Sequence, residues 1–258
     1  MELNLKNSLF LVCGAGSGFG RAVAEKLLDE GARVMAVARS ENAMKAFADA
    51  HPERLQVFVG DITTDEVQDR MLAACQGEQI SGVLINAGGP PAMSFLESEM
   101  HHWDQAWLQL VRWKLVFTKK LLPRLQQHNY GRFVFIESVS VKQPVQNLVL
   151  SNALRMAVVG FVKTLALEVA AENINLNILA PGYHNTAAMK RLFAKKSAMD
   201  HITLDAAKAK FEQSIPVGRM GEAAEMAELA VWLLSPNSRY VTGQTISHDG
   251  GMVKSVFG

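Results

Sequence analysis

Residues Leu9–Gly20 read LFLVCGAGSGFG, and this stretch decides the fold. Its first five residues form an apolar, β-rich run, which is typical of a strand covered on both faces. Glycines follow at positions 14, 16, 18 and 20, and the helical pattern RAVAEKLLDE then continues to a stop at Gly31. A strand, a glycine-rich turn and a helix in this order predict the start of a βαβ unit.

Short apolar runs alternate with longer helical patterns almost to the C-terminus. Seven runs are predicted as strands: Leu9–Cys13, Arg33–Ala38, Leu55–Val59, Val83–Asn86, Phe133–Glu137, Ile174–Leu179 and Thr245–Ser247. The predicted helices between them are Gly20–Glu30, Asn42–Ala50, Asp65–Ala74, Trp103–Gln127 and Asn152–Ala171. This order requires parallel strands joined by right-handed crossovers. We therefore predict an α/β fold: a doubly wound Rossmann-type parallel sheet of about seven strands with helices on both faces.

The composition is that of an ordinary globular protein. Hydrophobic residues make up 49% of the 258 positions, and 26 Lys and Arg stand against 25 Asp and Glu. A net charge of +1 provides no field that would attract nucleic acid or a membrane, so we expect a small-molecule ligand. Cys13 and Cys75 have no zinc-like spacing, so no metal site is predicted. With no signal-like start or long apolar run, the expected location is the cytoplasm.

The glycine-rich turn has the properties of a dinucleotide-binding loop. Gly14 permits a sharp turn off the strand, while Gly18 and Gly20 let a pyrophosphate approach the backbone and the helix amino end. The other candidate contacts in this loop are Gly16, Ser17 and Phe19. The spacing differs from the GxGxxG of other dinucleotide folds, but the setting between strand and helix supports the same function.

The chain shows no linker or repeat, so we expect a single dinucleotide-binding domain over residues 1–258. A polar, Lys-rich, weakly helical segment delays the next strand between Gly182 and Pro216. Because it follows the carboxyl end of a strand, residues 183–215 are a candidate substrate lid. An extra pair of surface helices is the alternative.

Motifs along nearly the whole chain resemble those of the short-chain dehydrogenase/reductase family. The glycine loop resembles the family's TGxxxGxG, with Cys13 in place of Thr. Four further elements resemble family motifs in the family's order: Asp61-Ile62 at the adenine, Asn86-Ala87-Gly88, Pro181-Gly182 with Thr186 at the nicotinamide carboxamide, and Asp249-Gly250-Gly251. The resemblance implies that the glycine loop and the first three of these elements bind a nicotinamide dinucleotide.

The second predicted strand indicates which nicotinamide is bound. NAD enzymes normally end this strand with a carboxylate that accepts from the ribose 2′-hydroxyl. Here it ends at Ala38 and is followed by Arg39, whose guanidinium can bind a 2′-phosphate. NADP is therefore predicted over NAD. A solvated Arg39 without a ligand is the alternative reading.

The resemblance also assigns the catalytic positions. In the family, Ser and Tyr polarise a carbonyl, and a Lys four residues after the Tyr holds the ribose and lowers the Tyr pKa. Ser138 falls at the serine position, but Ser151 and Arg155 fall at the Tyr and Lys positions, so that YxxxK is replaced by SxxxR. The family's helical Asn falls at about positions 110 to 112, which hold no Asn. A serine hydroxyl is too weak an acid to replace the phenol, and Arg stays protonated. Arg155 can still donate to ribose hydroxyls.

A reductase with this site needs another proton donor at the carboxyl end of the sheet. Tyr183 follows a strand at that end, and His184 titrates near neutrality, so either could donate. Packing or surface roles are the alternative for both.

The leading hypothesis is an NADP-dependent oxidoreductase acting on a carbonyl/alcohol pair, of the kind that reduces 3-oxoacyl thioesters or sugars. The alternative is a catalytically silent NADP-binding partner or regulatory protein. Relatives associate through the two long helices, so a homodimer or homotetramer is also expected.

Overall fold

The computed structural model describes residues 1–256, apart from the side chains at positions 188, 191 and 195. The strands within these residues are β1 (Leu9–Cys13), β2 (Arg33–Ala38), β3 (Leu55–Val59), β4 (Ile80–Ile85), β5 (Gly131–Ile136), β6 (Ile174–Pro181) and β7 (Thr245–His248). They form one parallel sheet in the order β3-β2-β1-β4-β5-β6-β7. The predicted doubly wound fold is confirmed. The strand order reverses between the neighbouring strands β1 and β4. Such a topological switch point leaves a crevice for a ligand at the carboxyl ends of the strands.

The helices of the described chain are α1 (Gly18–Asp29), α2 (Glu41–Ala50), α3 (Asp65–Ala74), α4 (Met100–Trp107), α5 (Trp113–Gln127), α6 (Val149–Val169), α7 (Ala187–Asp200), α8 (Leu204–Glu212) and α9 (Ala223–Leu234). A π-helical turn, Leu108–Arg112, joins α4 to α5, so the predicted helix at 103–127 is interrupted rather than regular. Helix α9 was not predicted, although a capping box at Glu222 and Glu225 marks its start.

Two hydrophobic cores lie on opposite faces of the sheet because successive strand side chains point to opposite sides. In β1, Leu9 and Leu11 join a core with α3, α5 and α6, whereas Phe10 and Val12 join a core with α1, α2 and α9. Side chains in both cores are almost fully buried. This two-sided burial explains why the strands are apolar throughout rather than alternating.

The segment predicted as a candidate lid contains α7 and α8. These two helices share a small core of their own that includes Phe193, Ala207 and Ile215, and Tyr183 and Met252 pack against it. Whether the pair closes over a substrate stays a prediction, and the side chains at 188, 191 and 195 lie outside the described residues. Among the described residues no helix is both long and apolar enough to cross a membrane.

Small differences between the predicted and observed bounds matter for the site. β5 ends at Ile136, so Glu137 is the first residue beyond the strand, although its N–H still donates to the carbonyl of Leu179 in β6. Helix α6 begins at Val149, three residues earlier than predicted, which places Ser151 and Arg155 in its first two turns. These shifts bring Glu137 and the start of α6 to the same edge of the sheet.

Candidate active site

The glycine loop runs from the end of β1 into α1 and requires glycine for its backbone geometry. Gly14 and Gly18 have φ values of +70° and +57°, in the left-handed region that favours glycine. A Cβ on Gly20 would lie 2.3 Å from the carbonyl oxygen of Gly14, and one on Gly14 would lie 2.8 Å from Nδ2 of Asn86. The hydroxyl of Ser17 makes no capping bond to α1. The N–H groups of the first helical turn therefore fit an anionic group such as a pyrophosphate.

The residues predicted at the adenosine end follow β2 and β3. Arg39 is exposed and makes no ion pair or hydrogen bond with any residue that the structure describes. The carboxylate of Asp61 accepts from the N–H and the hydroxyl of Thr63, at 3.0 and 2.8 Å, and Ile62 is buried. The ends of the neighbouring strands β2 and β3 thus present the unpaired guanidinium of Arg39 and the fixed carboxylate of Asp61. This set of one donor and one acceptor fits an adenosine phosphate.

The segment after β4 lies between the glycine loop and α6. Asn86 donates from its side-chain amide to the carbonyl of Cys13 at 3.5 Å, which links β4 to β1 at the switch point. Ala87 and Gly88 continue the turn, and a Cβ on Gly89 would lie 3.2 Å from Nη2 of Arg155. Arg155 therefore borders the loop that the sequence assigns to the cofactor.

A buried group of four side chains, Lys114, Glu137, Ser151 and Arg155, occupies the carboxyl end of β5; we call it the Glu137 cluster. Glu137 accepts from Nζ of Lys114 with Oε1 and from Nη1 of Arg155, at 2.9 Å, with Oε2. Nε of Arg155 donates to Oγ of Ser151 at 2.9 Å. The side chains of Glu137 and Lys114 are 0% and 2% exposed. Three separate elements, α5, the end of β5 and α6, therefore meet in one ionic network.

The charges of the Glu137 cluster do not balance when all its members are ionised. Two cations, Lys114 and Arg155, surround one carboxylate. Burial lowers the pKa of Lys114; the carboxylate of Glu137 opposes this shift and the charge of Arg155 adds to it. Buried charges are tolerated when they are paired and hydrogen-bonded, and Glu137 supplies that pairing for both cations. When Lys114 is protonated, the cluster therefore carries a net positive charge at the edge where Ser138 follows Glu137.

Ser138 begins the short turn Val139–Val141 and is half-buried. Its Oγ accepts from the N–H of Ser140 at 3.1 Å, which leaves the hydroxyl hydrogen free to donate. The hydroxyl oxygen of Ser140 is buried and has no hydrogen-bond partner among the described residues. Ser138 thus stands beside the Glu137 cluster with a donor available for an oxygen atom of a ligand.

The loop after β6 approaches the glycine loop. Pro181 ends β6, and the N–H of Gly182 donates to the carbonyl of His248 in β7 at 3.0 Å. Thr186 caps α7 by accepting from Met189, and its methyl group lies 3.9 Å from the position of a Cβ on Gly18. The two loops that the sequence assigns to the cofactor are therefore neighbours.

His184 is buried, and both of its ring nitrogens are used within the protein. Nδ1 lies 3.1 Å from the carbonyl oxygen of Gly182, and Nε2 lies 2.9 Å from Nδ1 of His248. Because a carbonyl can only accept, Nδ1 of His184 carries the hydrogen, and Nε2 of the neutral ring accepts from His248. Burial lowers the pKa of His184, so the neutral form is favoured. The ring also packs edge-on against Phe19.

Tyr183 packs edge-on against Phe211 of α8, and burial raises the pKa of its phenol. A cavity of about 310 Å³ borders both Tyr183 and His184, and its other walls come from residues 217–225 and 247–250. Ser138, Ser151 and Arg155 do not line this cavity. Within residues 1–256, no hydrogen bond or ion pair connects the two loop residues to the Glu137 cluster. Their predicted role as proton donors stays a prediction.

Sequence comparison places the chain in a known family. A family model described as enoyl-(acyl carrier protein) reductase matches residues 14–253. The 3-oxoacyl-[acyl-carrier-protein] reductase FabG of Escherichia coli (strain K12) is 31% identical over 257 residues, which cover 97% of this chain and 99% of FabG. This chain belongs to the short-chain dehydrogenase/reductase family. As a member, it is an NAD(P)-binding oxidoreductase with a Rossmann-type fold.

Other members of the short-chain dehydrogenase/reductase family agree with this assignment over similar lengths. Dehydrogenase/reductase SDR family member 4 of Oryctolagus cuniculus is 28% identical over 96% of this chain and 94% of its own. The crystal structure of YwfH, an NADPH-dependent reductase involved in bacilysin biosynthesis, superimposes with a TM-score of 0.91 at 25% identity, over 97% of this chain and 100% of YwfH.

Two members of the Glu137 cluster were missed in reading this short-chain dehydrogenase/reductase from sequence. Glu137 is the last residue of the predicted strand Phe133–Glu137, and Lys114 lies just beyond positions 110 to 112, where the family's helical Asn falls. A signal for Glu137 existed, since an ionisable residue directly after a fully buried run needs a partner. Lys114 gave no comparable signal, because it follows a π-helical turn that a regular helical period does not predict.

Proposed function

We propose that this chain is an NADP-dependent oxidoreductase that interconverts a carbonyl compound and an alcohol, with 3-oxoacyl thioesters as the first substrate class to test. The observation that carries the proposal is the placement of Arg155, which is buried and held by Glu137 and Ser151 while one corner faces the loop after β4. The name of the similar E. coli protein supports the substrate class, and the NADPH dependence of YwfH supports the cofactor.

Arg39 supports NADP rather than NAD as the cofactor. It follows β2 without any carboxylate at the strand end, and its guanidinium is exposed. A 2′-phosphate there would gain a charge-assisted bond that a 2′-hydroxyl cannot match. Bound NADPH supplies the hydride for carbonyl reduction.

The residues of the chain would act by orientation and charge. The hydroxyl of Ser138 donates to the substrate oxygen, and the fixed positive charge of Arg155 stabilises the negative charge that develops there. Arg155 also donates to the cofactor ribose. The guanidinium does not release a proton at neutral pH, and a serine hydroxyl is too weak an acid to replace a phenol. We therefore assign most of the rate enhancement to Ser138 and to the electropositive Glu137 cluster.

The proton that completes the reduction then comes from water or from a relocated donor. Tyr183 and His184 remain the two candidates for that donor. Burial makes the phenol of Tyr183 a weaker acid, and His184 uses both nitrogens inside the protein. Neither observation supports a rate-determining role for these residues.

A silent NADP-binding protein is the competing function, and one observation favours it. The hydroxyl of Ser151 accepts from Arg155 and lies in a buried network, so the position that would hold a phenol carries a structural bond instead. Such a protein would keep its cofactor and its fold but catalyse no reduction.

The assay that separates the two functions follows NADPH consumption with ketones and 3-oxoacyl thioesters as substrates. We expect activity in the native protein and a loss of about 10²-fold or more in Ser138→Ala, the usual effect of removing one donor to a developing oxyanion. Ser140→Ala is the matched control, since its hydroxyl has no partner among the described residues. A native protein that binds NADPH but consumes none with any substrate would favour the silent function.

A further inference from the structure

Glu137 is the centre of the buried network that holds Arg155. Its two oxygens face two different helices, with Lys114 of α5 on one side and Arg155 of α6 on the other. The carboxylate is completely buried, and it lies one residue before Ser138. This residue therefore connects the catalytic strand end to both helices.

The three nitrogen positions of the Arg155 guanidinium have different environments. Nε donates to Ser151 and Nη1 donates to Glu137, each at 2.9 Å. Nη2 has no hydrogen-bond partner among the described residues, and it faces Gly89 in the segment after β4. Two bonds from a planar group fix its plane and its rotation, so the third corner has a defined direction. That corner points toward the loop assigned to the cofactor.

We propose that Glu137 is a positioning residue for Arg155 and that Lys114 holds Glu137 in place. In this arrangement the carboxylate directs Nη2 of Arg155 to an oxygen of the bound cofactor or substrate. This inference rests on the proposed function, because it assumes that Arg155 contacts bound NADPH.

Lys114 also affects the charge of the ligand group that the site favours. With only Arg155 and Glu137 the network would be neutral, but protonated Lys114 adds one positive charge to this buried network. An oxygen that carries or develops negative charge compensates this excess best. A matching ligand therefore places a hydroxyl or a developing oxyanion at Nη2, rather than a cation or an apolar group.

The test must separate positioning from general loss of stability. Glu137→Gln alone would leave two buried cations facing an amide, and it could simply unfold the protein. Removing Lys114 at the same time, in Glu137→Gln/Lys114→Met, leaves one cation beside an amide oxygen and keeps the side chains similar in size. Arg155→Met conversely leaves the neutral pair of Lys114 and Glu137. These changes, singly and together, form a double-mutant cycle.

The measurements are the dissociation constant of NADPH, from fluorescence titration, and the melting temperature of each protein. We expect Arg155→Met and Glu137→Gln/Lys114→Met each to weaken NADPH binding by about tenfold or more. In the Arg155→Met background, the same double change should alter the affinity by less than about twofold, because nothing is left to position. Turnover should likewise fall in Arg155→Met and in Glu137→Gln/Lys114→Met, and it should fall little further when the changes are combined.

A buried cation at the opposite end of β5 provides the control for stability. Arg132 donates to the carbonyl of Asn173 at 2.7 Å at the amino edge of the sheet. Arg132→Met should lower the melting temperature and leave the NADPH affinity unchanged.

Three results would overturn the inference. In the first, the losses of NADPH affinity in Arg155→Met and in Glu137→Gln/Lys114→Met multiply when the changes are combined. In the second, Arg155→Met leaves the NADPH affinity unchanged. In the third, Arg132→Met weakens NADPH binding as much as Glu137→Gln/Lys114→Met does. A native protein that binds no NADPH would instead refute the proposed function, and the inference with it.

Discussion

Nη1 of Arg155 lies 2.9 Å from Oε2 of Glu137, and the two side chains are 10% and 0% exposed. The pair joins α6 to the end of β5, where Ser138 follows directly. In the short-chain dehydrogenase/reductase family to which this chain belongs, the resemblance assigns position 155 to a ribose-binding Lys. Here the cation is a guanidinium anchored from behind by a carboxylate, and this arrangement gives Ser151 and Arg155 different roles.

Ser151→Ala should leave NADPH affinity nearly unchanged, because the ion pair with Glu137 still holds Arg155 in place. It should lower turnover by less than about tenfold, because the Ser151 hydroxyl orients groups but supplies no proton. Arg155→Ala should instead weaken NADPH binding, since nothing nearby replaces its charge-assisted bonds. Titration and steady-state kinetics on both variants check this. A larger loss of turnover in Ser151→Ala than in Arg155→Ala would contradict the assignment.

Cofactor choice should depend on Arg39. We expect NADPH to bind at least tenfold more tightly than NADH, equivalent to about 1.4 kcal/mol. Arg39→Ala should remove that preference for NADPH without weakening the binding of NADH. Arg239→Ala is a matched control, because Arg239 is exposed and follows the turn Pro236–Ser238, on the chain segment that leads into the amino end of β7. Equal affinities of the native protein for both cofactors would refute this prediction.

Tyr183 and His184, the two candidate proton donors in the loop after β6, should contribute little to turnover. Tyr183→Phe and His184→Ala are each expected to lower turnover by less than about tenfold, well below the 10²–10⁴ lost with a general acid. The comparison uses a substrate that the native protein reduces. If either variant abolishes activity while still binding NADPH, that residue is the relocated acid.

Buried His184 should make stability depend on pH. Its pKa is lowered, chiefly by burial and also by His248, while Gly182, Glu222 and Glu225 act in the opposite direction. As pH falls below about 6.5, the unfolded chain takes up a proton that the folded protein does not, so stability decreases until the lowered folded pKa is reached. The loss per pH unit is at most about 1.4 kcal/mol.

Urea unfolding of the native protein and His184→Leu at pH 7.5 and pH 5.0 tests this expectation. The native protein should lose more stability on acidification than the variant does. If both lose the same amount, His184 does not account for the acid sensitivity.

Association is expected through the face formed by α4, α6 and the turn between α4 and α5. Five large apolar side chains are exposed on these elements: Met100, Trp107, Leu108, Met156 and Leu167. Exposed large apolar side chains on these elements favour a closed symmetric dimer or tetramer. Light scattering at micromolar concentration should detect it, and Met156→Lys/Leu167→Lys should yield a monomer. Leu204→Lys, on exposed α8, is the control; a monomeric native protein would contradict the prediction.

Local sequence patterns were sufficient to predict the fold and the position of the loops around the switch point. The apolar run Leu9–Cys13 needs cover on both faces, and Gly14, Gly18 and Gly20 are explained by left-handed backbone or close contacts. These features depend on residues adjacent in sequence, so periodicity and spacing reveal them.

The Glu137 cluster depends instead on contacts between distant residues. Lys114 and Glu137 are 23 positions apart, and Arg155 follows 18 positions later. They meet where α5, the end of β5 and the first two turns of α6 come together. A helical period predicts neither the π-helical turn before α5 nor the early start of α6. The His184 to His248 bond spans 64 positions and depends similarly on the pairing of β6 with β7.

The most direct test compares NADPH-dependent reduction by the native protein with that by Ser151→Tyr/Arg155→Lys, which restores the family's usual residues. We predict that the native protein reduces at least one ketone or 3-oxoacyl thioester without the restored pair. Its activity should depend on Ser138 and on Arg155. A native protein that binds NADPH but is silent, with activity appearing only in the restored double variant, would contradict the account and identify a binding protein that has lost its chemistry.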